Sequence, residues 1–135
     1  MTRTETREKA VIFLYQLTFK EVEGVTFEDR LQQYTELNPE LAEDSVYFNS
    51  VVRGVIENKA AIDEKISSFL NKWELSRLPR VDVAILEVSF YEITNMDDIP
   101  TGVAINEAVR LAKKYGTDDS SSYINGVLSA FEKSL

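Results

Sequence analysis

The side chains that most often carry enzyme chemistry are missing, since the 135-residue chain has no Cys and no His. A zinc cluster, a disulfide framework, a thiol nucleophile, a Ser-His-Asp triad and an imidazole base are therefore excluded. Carboxylates, Lys, Arg, Ser, Thr and Tyr remain. Acid pairs stand at Asp63/Glu64, Asp97/Asp98 and Asp118/Asp119, but general acid–base work needs two carboxyls in one cleft with unlike surroundings. Adjacent acids at helix ends are more simply dipole-matching caps. No P-loop, GxGxxG or metal-ligand spacing is present, so neither cofactor nor metal is expected and the chain reads as a non-enzyme. Arg7 and Tyr15 offer a different chemistry. Eight residues apart, they differ by about 80° around a helix, which sets a cation for phosphates near a ring for stacking, the minimal kit for single-stranded RNA. A surface arginine beside a half-buried core tyrosine is the plainer account of the same pair.

Charge limits how such a site would bind. The net charge is -8, yet residues 21–48 hold eight acids and a single base, Arg30. The other 107 residues carry fifteen acids and fourteen bases. The acidity thus belongs to one stretch, and basic groups remain at Arg3/Arg7/Lys9, Lys72/Arg77/Arg80 and Arg110/Lys113/Lys114. An RNA site here has to be local and its unaided affinity modest, because neutralised phosphates supply much of the binding. No apolar run reaches 18 residues and the first ten, MTRTETREKA, lack the basic-then-apolar order of a secretory signal. A soluble, cytoplasmic protein without a membrane segment is expected.

The elements that must position these residues are helical. A composition of 44% hydrophobic and 28% charged residues, with only 3 Pro and 5 Gly, suits one packed domain over 1–135 and not a turn-rich β-sandwich. Thr2 with Glu5 predicts a capped first helix running to about residue 23, where Gly24 ends it. Thr26 caps a short acidic helix, Asn38-Pro39 breaks it, and Pro39 opens a third carrying Val51, Val52, Val55 and Ile56. Ile62, Ile66, Phe69, Leu70 and Trp73 form the next stripe. Pro79 precedes the most apolar segment, residues 81–93, whose hydrophobic residues go nearly all round a helix and mark it as central. The next helix uses Ile105, Ala108, Val109 and Ala112 and closes at Gly116. Asp118 or Asp119 caps the last, with Ile124, Val127, Leu128 and Phe131 inward. The prediction is all-α, six or seven helices, in two helical subdomains of about 1–72 and 73–135. Gly54 and Gly126 fall inside predicted helices, where each costs about 1 kcal/mol against Ala. Close packing is the expected reason, with close approach of a ligand as a further one at Gly126.

These segments together resemble a family. DIPTGVAINEAVRLAKKYGTDDSSSYINGVLSA, residues 98–130, is similar to the signature of the NusB family of transcription antitermination factors. Ile62-Asp63, Trp73-Glu74-Leu75, LPRVDVAILEVSFYEI and TREKAVIFLYQ resemble the same family, so that only the acidic stretch is left unmatched. The resemblance implies a small two-subdomain helical protein. Such a protein binds the boxA element of nascent ribosomal RNA together with NusE, the small-subunit ribosomal protein S10. Other Nus factors and RNA polymerase join indirectly, and termination is suppressed. Carried over by motif, the expected RNA contacts are Arg3, Arg7, Tyr15, Asp119 and Tyr123, and the expected NusE contact is Asp82. Thr4 and Glu5 stand where basic residues are common in the family, which weakens the expected phosphate contacts. Asn106 is expected to bond backbone between segments. The alternative is a helical interaction module, or a homodimer, with little RNA affinity of its own.

Overall fold

The computed structural model describes residues 1–135 except Lys20 and Lys72, so the Lys72 member of the second basic group lies outside the described residues. Seven α-helices occur among them: α1 (Arg3–Leu17), α2 (Phe27–Leu37), α3 (Ser45–Glu57), α4 (Lys59–Ser67), α5 (Arg80–Asn95), α6 (Thr101–Tyr115) and α7 (Ser120–Lys133), with 3-10 turns at Pro39–Asp44 and Leu75–Arg77.

Helix α5 is the axle. Every residue from Ala84 to Phe90 is buried, and α1, α3, α4, α6 and α7 all pack against it. A helix surrounded in this way needs apolar residues on every side, which is the pattern read from residues 81–93. Phe90 stacks on Phe131 of α7 with ring centroids 4.2 Å apart. Gly54 lets α3 approach α5, since a Cβ at that position would overlap the Tyr91 ring. The acidic stretch is the wet side of a bound helix. Leu31 and Tyr34 of α2 face the core, with Tyr34 5.0 Å from Phe13 and stacked at 6.0 Å on Phe48, while Glu28, Asp29 and Glu36 face water.

Local signals account for most of the helix starts. Thr2 Oγ1 accepts from the Glu5 amide at 3.1 Å. Thr26 and Asp29 form a reciprocal capping box, which satisfies two amides left without helical partners. Three expectations need correction. Helix α1 stops at Leu17 rather than near residue 23, because arginines from other elements cap its final carbonyls: Arg30 donates to Gln16 O and Arg80 to Thr18 O, both at 3.1 Å. Cations placed there satisfy orphan acceptors and complement the helix dipole. Helix α4 ends at Ser67, so Trp73 lies outside it and is 59% exposed. Asp119 is the N-cap residue of α7, as expected, but its side chain makes no capping bond; the Thr117 amide donates instead to Ser120 Oγ at 2.9 Å.

Candidate nucleic-acid interface

Two of the residues expected to meet partners are inside the protein. Arg7, 2% exposed, is drawn in by Glu92 of α5. Its Nε donates to both Glu92 oxygens at 2.9 and 3.1 Å, and its Nη2 donates to Oε2 at 2.8 Å. Its Nη1 lies 3.4 Å from Glu107 of α6, and its guanidinium stands 5.5 Å from the Tyr47 ring. Burial opposes the charge, yet the bonds from Glu92 hold the Arg7 pKa above its ordinary value. Arg7 thus clamps α1, α5 and α6 together, and the phosphate contact expected of it does not agree with this place: its fork is buried against Glu92 and Glu107. Asp82, 3% exposed, accepts from Ser120 Oγ at 2.8 Å and ties the start of α5 to the start of α7. Its carboxyl is raised by burial. A direct NusE contact by Asp82 disagrees with that position too.

The other expected residues are accessible. Exposed Arg3 is bonded to Asp44, Nε to Oδ2 at 2.8 Å, and lies 4.3 Å over the Tyr47 ring. Tyr15 is half-buried and meets Phe19 edge-to-face, centroids 4.9 Å apart. Arg80 covers the same Phe19 ring at 4.9 Å. Tyr15, Phe19 and Arg80 thus come together at the end of α1, although the sequence singles out Tyr15 and, in a separate basic group, Arg80, and not Phe19 or their meeting. Phe19 reads as interior to a longer helix, and Arg80 belongs to another element. Past this cluster Phe19, Val22 and Val25 are 46%, 62% and 43% exposed, with acidic Glu21 and Glu23 between them. Asp119 is exposed and Tyr123 half-buried at the start of α7, where Tyr123 shares a groove with Trp73 and Gly126.

The basic group on α6 is largely engaged. Lys114 Nζ and the Tyr115 hydroxyl donate to Glu8 Oε2 at 2.7 and 2.5 Å, and Arg110 reaches Glu8 Oε1 at 3.4 Å. Burial works against the charge of Glu8, but these donors hold its pKa below the usual range. Asn106 is exposed and, contrary to expectation, its side chain forms no hydrogen bond among the described residues.

A second polar cluster lies between α4 and α5. Lys59 Nζ donates to Asp63 Oδ2 at 2.9 Å and to Glu87 Oε2 at 2.7 Å. Burial, with Asp63 adding to it, pushes the Glu87 carboxyl up to about 8. A raised carboxyl favours folding while it keeps its proton: its contribution is complete below its ordinary value, near 4.5, and is lost as pH climbs through about 8. Urea unfolding is expected to show the wild-type protein losing stability relative to Glu87→Gln between pH 5 and pH 9. A constant difference between the two across that range contradicts the assignment.

The matching family model is that of the NusB family, and it covers residues 4–133. The chain belongs to the NusB family. The Transcription antitermination protein NusB of Clostridium novyi (strain NT) is 42% identical over 128 residues, 95% of this chain and 96% of that protein. The protein of the same name from Bacillus licheniformis is 41% identical over 135 residues, 100% of this chain and 99% of that one. Among solved structures, T. maritima NusB superposes with a TM-score of 0.85 at 33% identity, covering 98% of this chain and 92% of that one. A chain from a complex of the antitermination factors NusB and NusE with dsRNA superposes with a TM-score of 0.80 over the full length of both. At 23% identity this last match supports the fold alone.

Proposed function

We propose that this protein is a cytoplasmic transcription antitermination factor that binds the boxA element of nascent ribosomal RNA together with NusE. The observation that carries the reading is family membership along nearly the whole chain, with relatives named as transcription antitermination proteins at 41–42% identity. No catalytic step is assigned, and the absence of Cys and His fits an adaptor. Residues of about 1–72 and 73–135 act as two helical subdomains, and the Arg7–Glu92 pair joins them.

Arg3, Tyr15, Asp119 and Tyr123 form the RNA side, with Arg7 as a positioning residue beneath Arg3. NusE, a basic ribosomal protein, docks on the apolar and acidic face of Phe19, Val22 and Val25 with Glu21 and Glu23. Exposed apolar residues in a row mark a contact surface, and their flanking acids orient a basic partner. Tyr15 lies where the two faces meet, its ring packed on Phe19. Val22→Lys tests the assignment because Val22 is 62% exposed, carries no core packing, and a cation there opposes a basic partner. NusE binding by calorimetry is expected to weaken by about tenfold or more, roughly the 1.4 kcal/mol that a charge buried in a contact readily costs, with the melting temperature unchanged. Unaltered NusE affinity removes this face from the account.

A further inference from the structure

A groove that the stability of the fold does not explain lies between α7 and residues that follow α4. It measures about 840 Å³ and is lined by Trp73, Tyr123, Gly126, Ala130, Asn71 and Ser122, among others. Three features of it point to an occupant. The single tryptophan of the chain stands 59% exposed on its wall. Gly126 sits inside α7, where glycine costs about 1 kcal/mol against alanine, yet an added Cβ would meet nothing within 4 Å; the fold itself does not need a glycine there, unlike at Gly54. The Tyr123 hydroxyl is buried without a hydrogen-bond partner among the described residues, a state that native proteins usually relieve.

We propose that this groove takes a base of single-stranded RNA, stacked on Trp73 and laid over the open backbone at Gly126. The proposal rests on the RNA-binding reading and extends it to two residues that reading does not include. The described lining is aromatic, small and polar, which suits a flat ring. Small residues on the floor and an aromatic wall form a slot for a flat group, while the exposed Asn71 and Ser122 supply polar atoms that a base edge can meet. Stacking of this type tolerates different bases because each has a π-face. Tyr123 makes the groove continuous with the proposed RNA side.

The full chain, with NusE and a labelled single-stranded boxA RNA, provides the test by fluorescence anisotropy. Trp73→Ala and Gly126→Leu are each expected to weaken RNA binding roughly 5- to 100-fold, the span of one base–aromatic stack. Trp73→Phe is expected to stay within a few-fold of wild type. Melting temperatures should hold, since Trp73 is exposed and leucine suits a helix better than glycine. In the protein alone, RNA should quench the emission of Trp73. If wild-type binding persists unchanged in both Trp73→Ala and Gly126→Leu, the groove is not an RNA site, although the RNA reading stands. If those variants lose NusE and keep RNA, the groove docks protein and the proposal is overturned. Failure of the wild-type chain to bind the RNA, even with NusE, overturns both.

Discussion

Arg7→Ala is expected to destabilise the protein by about 3–5 kcal/mol, the usual result of removing one partner from a buried ion pair. The loss exceeds that of the ion pair itself, because Glu92, already raised by burial, is left buried without its donors and must take up a proton to fold, and Glu107 loses a neighbouring cation. Glu92→Ala should cost about as much for the converse reason. A joint replacement, Arg7→Met with Glu92→Leu, should recover much of the loss, since apolar pairs of similar volume often match buried ion pairs in stability. Arg3→Ala is the control: its pair with Asp44 is exposed, and such pairs contribute about 0–1 kcal/mol. Denaturant unfolding separates these cases. If Arg7→Ala unfolds within about 1 kcal/mol of wild type yet loses RNA, Arg7 touches RNA and does not belong to the core.

This prediction reverses the role suggested by the sequence. In Thr6-Arg7-Glu8 an arginine among charged neighbours has every local mark of a surface residue. Its burial depends on Glu92, 85 positions away, and no local pattern carries that information. Asp82 is similar: at the start of a helix it reads as a first-turn acid, while the Ser120 hydroxyl that buries it comes from 38 residues later. Local signals succeed where the cause is local. The cap at Thr26, the break at Asn38-Pro39 and the all-round apolar pattern of α5 each follow from neighbouring side chains and are present in the structure, although Pro39 opens a 3-10 turn and the third helix begins only at Ser45. The end of α1 is not legible in this way, because Val22 continues the apolar spacing whereas the arginines that stop the helix come from α2 and α5. Trp73 joins a buried stripe by the same arithmetic of spacing, although the helix ends six residues earlier, at Ser67.

The second large effect concerns partners. With Arg7 withdrawn into the core, and with Thr4 and Glu5 lacking positive charge, Arg3 is the remaining arginine of the N-terminal run. Each phosphate left without a cationic partner makes the slope of log affinity against log salt shallower by about 0.7 for single strands. The protein alone should therefore bind RNA weakly and with a shallow salt dependence. A basic partner docked on the acidic face would add the missing cations, so NusE should raise both the affinity and the slope. Base contacts, rather than phosphates, must then supply any preference for sequence.

The most direct measurement is binding of the wild-type protein to a boxA RNA and to a scrambled RNA of equal length, with and without NusE, at two salt concentrations. The account predicts weak binding to either RNA alone, and with NusE at least a tenfold gain, about 1.4 kcal/mol, that favours boxA and falls more steeply with salt. If NusE binds but the ternary mixture shows no gain for boxA over the scrambled strand, the protein is an interaction module and the antitermination adaptor reading is contradicted.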